Sequence, residues 1–332
     1  MNRIFKTAII IFSALCGIVL TAAAVLYIIS PSSAGRDISF RKGLPYHMVV
    51  AHRGASYYAP ENTAPAFIIA GELGADYLEC DVQRTKDGRL IIFHDKTPER
   101  TTDVSEIFPG REKAPVGSFT YSELMRLDAG TWFNMKNPER ARESFRSTRI
   151  CTFREYVDIA ERCGKKPGLM IELKHPELYP GIEKEVIDLL AERGRIDNGS
   201  VRPDMIQTFD RKSLARCKEL APSIHRNFLV DEEGKEDTEW DERGWEGLLD
   251  DAVTAGSEIG PSGYLGWPWY TGSAHDRGLL VITYTIDRDI HFRMLTFFGT
   301  DWIITNRCGR ALEFYGRKPG ISPEEVMKSH NL

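Results

Sequence analysis

Four apolar runs of the sequence end in side chains that carry a charge or transfer a proton. These side chains are His52 and Arg53, Glu79 and Asp81, His94, and Glu172 and Lys174. Such groups are costly to bury unless they pair, hydrogen-bond or bind a metal ion. Because the carboxyl ends of barrel strands meet at one rim, the four endings predict an active site at that rim.

The carboxylates of this set predict a site for a divalent cation. Glu79 and Asp81 are two residues apart, so on a β-strand their side chains point to the same face. With Glu172 from another strand, they offer oxygen ligands only. Mg²⁺ and Ca²⁺ bind oxygen ligands, whereas Zn²⁺ favours His and Cys. A surface ion pair or a turn cap would be the better explanation of one such residue alone, but three after apolar runs indicate a metal.

Two histidines accompany the carboxylates at the predicted strand ends. His52 and His94 follow different apolar runs. Imidazole titrates near neutral pH, so such a pair is suited to general acid–base catalysis. One histidine is expected to deprotonate the nucleophile, which is water or a substrate hydroxyl, and the other to protonate the leaving oxygen.

Arg53 and Lys174 place positive charge where an anionic substrate would bind. Arginine offers a bidentate fork to phosphate oxygens, and lysine offers a point charge. Together with a metal and two imidazoles, these cations predict cleavage of a phosphodiester. The alternative for Arg53 is a structural salt bridge with Glu61 or Glu79.

The elements that must position these residues alternate along the chain. Predicted strands occupy residues 49–51, 76–82, 90–93, 169–173, 205–208, 224–230, 257–259, 281–285 and 302–305. Helical patterns lie between most of them, which indicates a parallel sheet with right-handed crossovers. About eight strands predict an α/β protein with a (β/α)₈ TIM barrel. A doubly wound sheet competes, but no Gly-rich dinucleotide turn follows the first strand.

The domain plan follows from this pattern and its interruptions. We predict a flexible linker at 31–47, a barrel at 48–316 and a C-terminal tail at 317–332. Residues 96–147 are polar and short of strands, so we interpret them as a small insertion after the third strand that lies over the barrel mouth.

The amino-terminal segment predicts a membrane anchor. Residues 8–29 carry no charge and are almost wholly apolar, and a helix of this length crosses a hydrocarbon core of about 30 Å. We expect residues 1–30 to be a single-pass transmembrane signal anchor, with the catalytic domain outside the cytoplasm. The alternative is secretion after signal-peptide cleavage near Ala22-Ala23-Ala24. Basic residues flank both ends of the run, so charge barely discriminates its orientation.

Composition excludes some partners. The net charge is −5 and no basic stretch dominates, which argues against nucleic acid. The cysteines lack the spacing of a disulfide framework or a zinc site. The sequence leaves the oligomeric state open.

The motifs around these residues resemble one family. In order, they are His52-Arg53-Gly54-Ala55, Ala59-Pro60-Glu61-Asn62-Thr63, residues 74–83, Thr85-Lys86-Asp87-Gly88, His94-Asp95, Ile171-Glu172-Leu173-Lys174, Gln207-Thr208-Phe209-Asp210, Tyr284-Thr285-Ile286-Asp287 and Trp302-Ile303-Ile304-Thr305-Asn306. From about residue 49 to 312, the chain is similar to the glycerophosphodiester phosphodiesterase family.

The resemblance implies a TIM barrel with a small insertion, a divalent cation, and hydrolysis of glycerophosphodiesters to an alcohol and sn-glycerol 3-phosphate. By position, it implies metal ligands at Glu79, Asp81 and Glu172, an acid–base pair at His52 and His94, and phosphate-binding cations at Arg53 and Lys174. It also implies a substrate pocket at Asn62, Gln207, Phe209 and Tyr284, with Asn62 near the metal or the phosphate.

Two positions depart from the family pattern. Tyr284 stands where Trp is common, and Asn306 stands where Asp is usual. We expect neither to touch the catalytic set, although Tyr284 is expected to line the pocket and alter alcohol preference. The aromatic cluster Trp267-Pro268-Trp269-Tyr270 either cradles an acyl chain or choline group, or is a packed loop.

These inferences predict a membrane-anchored, metal-dependent phosphodiesterase. One alternative keeps the chemistry but acts on lysophospholipids at the membrane, as a lysophospholipase D does. A second alternative is a catalytically inactive barrel that binds polyol phosphates. The intact acid–base pair argues against the second alternative, because a binding module needs none.

Overall fold

The computed structural model describes residues 3–29, 33–197, 199–200, 202–235 and 238–332. Its strands are β1 (Val49–Ala51), β2 (Tyr77–Arg84), β3 (Leu90–Ile92), β4 (Gly168–Leu173), β5 (Met205–Thr208), β6 (His225–Val230), β7 (Glu258–Pro261), β8 (Ile282–Thr283) and β9 (Trp302–Thr305). Eight of them are parallel neighbours in the order β7-β6-β5-β4-β2-β1-β9-β8. Parallel bridges join Ile259 to Val281 and Ser262 to Tyr284, which brings β7 beside β8. The architecture is a parallel, nearly closed eight-stranded barrel, which confirms the predicted fold class.

The third strand departs from the prediction. β3 pairs with β2 in an antiparallel hairpin and is not one of the eight parallel strands. The turn at residues 85–89 is too short for the crossover that two parallel strands require. The insertion therefore follows a hairpin at the barrel rim.

The helices, in chain order, are α1 (Arg3–Ile29), α2 (Ala34–Lys42), α3 (Ala64–Leu73), α4 (Val104–Ile107), α5 (Tyr121–Leu124), α6 (Thr131–Lys136), α7 (Phe153–Arg162), α8 (Ile182–Glu192), α9 (Arg211–Leu220), α10 (Gly244–Ala255), α11 (Pro268–Asp276), α12 (Asp289–Phe297), α13 (Cys308–Phe314) and α14 (Pro323–Ser329). α7 shows why these segments surround the sheet. Its apolar residues recur at helical spacing, and Phe153, Tyr156 and Val157 are buried.

Helix α2 closes the amino-terminal end of the barrel. Ile38 and Leu44 share a buried cluster with Tyr77, Met205 and Trp302, which are the first residues of β2, β5 and β9. The predicted flexible linker at 31–47 thus contains an ordered helix from Ala34 to Lys42, because apolar side chains at this end of the barrel need cover. Residues 31 and 32 of that linker lie outside the described residues.

The insertion and the tail are also ordered. Residues 96–147 contain α4, α5 and α6 and no strand, and Val104, Val116 and Phe119 pack with Ile91 and Phe93. In the predicted tail at 317–332, α14 buries Val326 and Met327. Both segments extend the core of the barrel domain.

The predicted membrane anchor falls on α1. Its described apolar side chains, such as Ile10 and Leu20, are exposed. Counting only the described part of the chain, no helix has the length and apolar character needed to cross a membrane. The membrane anchor therefore stays a prediction.

Candidate active site

The register of two neighbouring strands brings the three predicted metal ligands together. Glu79 and Asp81 lie on β2, and Asp81 is the register partner of Glu172 on β4. Glu79 and Asp81 have no exposed surface, and Glu172 is 6% exposed. One ligand atom from each of the three lies within 4.8 Å of the other two. This acidic cluster can therefore contact a single ion.

The electrostatics of the acidic cluster suit a divalent cation. Burial and the charges of Asp81 and Glu172 raise the pKa of Glu79 well above its usual range. In addition, Oδ1 of Asp81 is buried and accepts no hydrogen bond from the described residues. The buried Asp81 oxygen has no donor, and the Glu79 carboxylate resists ionisation. Both observations indicate that a positive charge would stabilise the cluster. The oxygen-only donor set fits Mg²⁺ or Ca²⁺.

The two predicted phosphate-binding cations contact the acidic cluster. Lys174 Nζ lies 2.7 Å from Oε1 of Glu172 and 3.9 Å from Oδ1 of Asp81. Arg53 Nε lies 3.4 Å from Oδ2 of Asp81, and its backbone N–H donates to Oε2 of Glu79 at 2.6 Å. Burial alone would raise the pKa of Asp81, but His94, Arg53 and Lys174 outweigh it and lower that pKa.

The first loop after β1 supports this arrangement. Asn62 Nδ2 donates to Oδ2 of Asp81 at 2.7 Å, so Asn62 lies behind a predicted metal ligand. Glu61 accepts from Arg53 at 2.8 Å, and Arg100 of the insertion donates to both oxygens of Glu61. The predicted structural salt bridge of Arg53 with Glu61 is therefore present.

The two histidines have different partners. His52 Nδ1 lies 2.8 Å from Oδ1 of Asn306, whereas His94 Nδ1 lies 2.6 Å from the Asp95 carboxylate. Burial and the neighbouring Arg53 charge lower the pKa of His52 to about 3, so this imidazole is neutral near pH 7. One histidine thus faces a neutral amide and the other a carboxylate.

A cavity of about 160 Å³ joins most of these residues. It is lined by His52, Arg53, Glu79, His94, Glu172, Lys174, Gln207, Phe209, Leu229, Asp231, Tyr284, Thr285 and Ile304. All the predicted catalytic and phosphate-binding residues and three of the four predicted pocket residues are in this set. The fourth, Asn62, lies behind Asp81. Neither Trp267 nor any described residue of the insertion lines the cavity, and the insertion reaches the site through Arg100.

Comparison with known proteins places the chain in a family. Residues 52–310 match the model of the glycerophosphoryl diester phosphodiesterase family. A glycerophosphodiester phosphodiesterase from Bacillus subtilis (strain 168) is 31% identical over 261 residues, which are 78% of this chain and 83% of that protein. The chain belongs to this family.

Solved structures agree with this membership. A glycerophosphodiester phosphodiesterase from Agrobacterium tumefaciens str. C58 has a TM-score of 0.59 and 25% identity, and the match covers 79% of this chain and 97% of that one. An Oleispira antarctica phosphodiesterase, solved in complex with the product sn-glycerol-3-phosphate, has a TM-score of 0.65 and 24% identity over 83% of this chain and 98% of that one. The second structure supports the fold.

The expectation that neither departure from the family pattern touches the catalytic set is wrong for Asn306, which accepts from His52 directly. Tyr284 lines the cavity, where its hydroxyl donates to Oδ1 of Asp231 at 2.9 Å. Residue 306 is one past the end of β9, and Ala51 of β1 pairs with Thr305. Since the last strand of a closed barrel neighbours the first, strand closure was the signal that would have placed Asn306 beside His52. Sequence reasoning also missed Asp231, which directly follows β6.

Proposed function

We propose that this chain hydrolyses glycerophosphodiesters to an alcohol and sn-glycerol 3-phosphate, with a divalent cation held by Glu79, Asp81 and Glu172. The observation that carries the proposal is the buried acidic cluster, of which Glu79 and Glu172 line one cavity together with two histidines and two cations. Family membership supports this reaction class. A bound cation would neutralise charge on the phosphate and polarise it.

The side chains of the cavity account for the proton transfers. One of His52 and His94 takes the proton of the attacking hydroxyl, whose oxygen bonds to phosphorus. The bond from phosphorus to the alcohol oxygen breaks, and the other histidine donates a proton to that oxygen. Arg53 and Lys174 hold the phosphate and offset its negative charge. The attacking hydroxyl belongs to water, which gives sn-glycerol 3-phosphate directly, or to the substrate's own glycerol. In the second case a cyclic glycerol phosphate forms first, and water opens it in a second step.

The dimensions of the cavity favour small substrates. Its volume of about 160 Å³ suits a deacylated diester, since cavities for drug-sized ligands reach about 300–1,000 Å³. Trp267 and Trp269, which were considered for binding an acyl chain, stack on each other with ring centroids 5.3 Å apart. They lie outside the cavity lining. We therefore favour glycerophosphodiesters over lysophospholipids.

The decisive assay measures sn-glycerol 3-phosphate released by the full chain from glycerophosphocholine and glycerophosphoethanolamine. Chelation should abolish release, and Mg²⁺ or Ca²⁺ should restore it. The matched variant is Glu172→Gln, which keeps the shape of the side chain and removes its charge, and we expect it to need far more metal. Release that survives chelation would contradict the metal requirement. If the chain hydrolysed lysophosphatidylcholine but neither of the two diesters, the lysophospholipid alternative would be favoured.

We also propose that the apolar run at residues 8–29 anchors the enzyme in a membrane with its catalytic domain outside the cytoplasm. Only four residues, 30–33, separate α1 from α2, a length of at most about 14 Å, and α2 closes the barrel end opposite the cavity. This arrangement would turn the cavity away from the bilayer and towards soluble diesters.

Fractionation and mass spectrometry of the mature chain test the anchor. An intact amino terminus in the membrane fraction, with the barrel accessible to external protease in whole cells, is the expected result. A shortened chain in the medium would support signal-peptide cleavage instead. A chain recovered only in the cytosol would contradict both arrangements.

A further inference from the structure

A chain of hydrogen bonds connects His52 to a carboxylate outside the cavity lining. His52 Nδ1 lies 2.8 Å from Oδ1 of Asn306, and Asn306 Nδ2 donates to Oδ2 of Asp287 at 2.6 Å. The Ser56 hydroxyl lies 2.7 Å from the same Oδ1 of Asn306. Each bond joins side chains from different parts of the barrel rim.

Asp287 fixes which end of the Asn306 amide faces the histidine. A carboxylate only accepts hydrogen bonds, so the group that faces it must be the amide NH₂. Asp287 is itself held in place, because its Oδ1 accepts from the Asn306 backbone N–H at 2.9 Å and from Thr305 Oγ1 at 3.0 Å. The Asn306 carbonyl oxygen therefore points at His52.

The amide orientation decides the tautomer of His52. An amide oxygen is an acceptor only, so His52 Nδ1 must carry a proton to bond with it. His52 lines the cavity, and its Nδ1 is occupied by the bond to Asn306. A neutral imidazole that is protonated at Nδ1 keeps its lone pair on Nε2. The charged groups that act on His52 are Arg53, Asp81 and His94, and the burial-lowered pKa agrees with a neutral ring.

We propose that Asn306, oriented by Asp287, is a positioning residue that holds His52 in the Nδ1–H tautomer and makes its Nε2 the proton acceptor of the reaction. The inference rests on the proposed function for the catalytic step, but the tautomer itself does not depend on it. His94 is then the proton donor to the leaving alcohol oxygen.

Asp287→Asn is the sharpest variant. The new amide at position 287 keeps its carbonyl on the two donors, the Asn306 backbone N–H and the Thr305 hydroxyl, so its NH₂ faces the Asn306 side chain. The Asn306 amide must then turn over and present its own NH₂ to His52. An NH₂ group requires an acceptor at Nδ1, which moves the ring proton to Nε2 and removes the proton acceptor from the cavity.

The control is Asp289→Asn, two residues along the chain. Asp289 begins α12, its side chain is 46% exposed, and it pairs with Arg310 instead of Asn306. The chemical change is the same, but among the described residues no hydrogen bond leads from it to His52.

The experiment combines ¹⁵N NMR of the histidine side chains with kinetics, using the full chain without metal near neutral pH for the spectra. His52 is assigned by its loss in His52→Gln. We expect Nδ1–H in the wild type and in Asp289→Asn, and Nε2–H in Asp287→Asn, together with a fall in kcat of about 100-fold or more at little change in KM.

Three results would overturn the inference: Nε2–H in the wild type, an unchanged tautomer in Asp287→Asn, or a switched tautomer with wild-type kcat. If the full chain released no sn-glycerol 3-phosphate from any diester, the proposed function would fail. The spectra would still decide whether Asn306 positions His52, so the two failures are distinguishable.

Discussion

Lys174 Nζ lies 2.7 Å from Oε1 of Glu172, so a predicted phosphate-binding cation pairs with a predicted metal ligand. Both side chains are almost fully buried, at 9% and 8% exposure. The pairing reduces the repulsion among the three carboxylates, yet it does not supply a donor to Oδ1 of Asp81. The acidic cluster is therefore only partly neutralised by the protein itself.

Removing the lysine should make the protein depend on metal for stability. Without metal, Lys174→Met leaves Glu172 buried without its partner, and we expect a loss of about 3 kcal/mol in the free energy of unfolding. Saturating Mg²⁺ or Ca²⁺ should stabilise this variant more than the wild type. Denaturant titrations with chelator and with metal measure the difference. Equal stabilisation of the two proteins would show that the cation does not bind at this cluster.

Asn62 should affect the binding of metal more than the chemical step. Its amide donates to Asp81, and its φ of 59° is in the left-handed region that glycine adopts easily. Asn62→Gly keeps that backbone conformation but loses the hydrogen bond from the amide to Asp81. We therefore expect the metal concentration for half-maximal activity to rise by roughly 10–100-fold. Asn62→Ala adds backbone strain. If Asn62→Gly has the metal requirement of the wild type, the amide does not orient Asp81.

His52 should make stability depend on pH. Its folded pKa of about 3 lies below the ordinary 6.5, so between these values the unfolded chain binds one more proton than the folded chain. Stability from this group is complete above pH 6.5 and falls by about 1.4 kcal/mol per unit as the pH decreases. In denaturant titrations, the stability of the wild type relative to His52→Gln should therefore fall on acidification. His330→Gln, at an exposed position, is the control, and parallel wild-type and His52→Gln curves would refute the assignment.

Asp231 should favour alcohols that carry a positive charge. Its carboxylate lines the cavity beside Tyr284, and the aromatic ring of Phe209 lies next to Tyr284. An ammonium headgroup gains from both a carboxylate and aromatic faces. We expect Asp231→Asn to lower kcat/KM about tenfold for glycerophosphocholine, which corresponds to about 1.4 kcal/mol. Glycerophosphoglycerol, a diester with a neutral alcohol, is the internal control, and equal losses on both diesters would contradict this role.

Local sequence pattern was sufficient to find the strands and most of the cavity. Apolar runs and turn residues predicted all nine strands, and the two-residue spacing of Glu79 and Asp81 placed them on one face. What local pattern lacks is information on which strands become neighbours. The antiparallel direction of β3 depended on the length of its turn, and the contact between His52 and Asn306, 254 residues apart, depended on barrel closure.

Burial explains why part of the predicted flexible linker is the ordered helix α2. Small and polar residues at 30–35 are typical of a flexible linker, and the helix that follows was not predicted. Ile38 is 2% exposed and Leu44 is 5% exposed because they cover the closed end of the barrel. The need for that cover arises only from the assembled strands, so it is not visible in the linker's own composition.

The most direct test of the two-histidine account is turnover by the full chain carrying His52→Gln, His94→Gln or both. Release of sn-glycerol 3-phosphate is measured at saturating metal and substrate, and folding of each variant is checked by its unfolding transition. We expect each single substitution to lower kcat by roughly 10²- to 10⁴-fold. Near-wild-type kcat in either folded single variant would contradict the account.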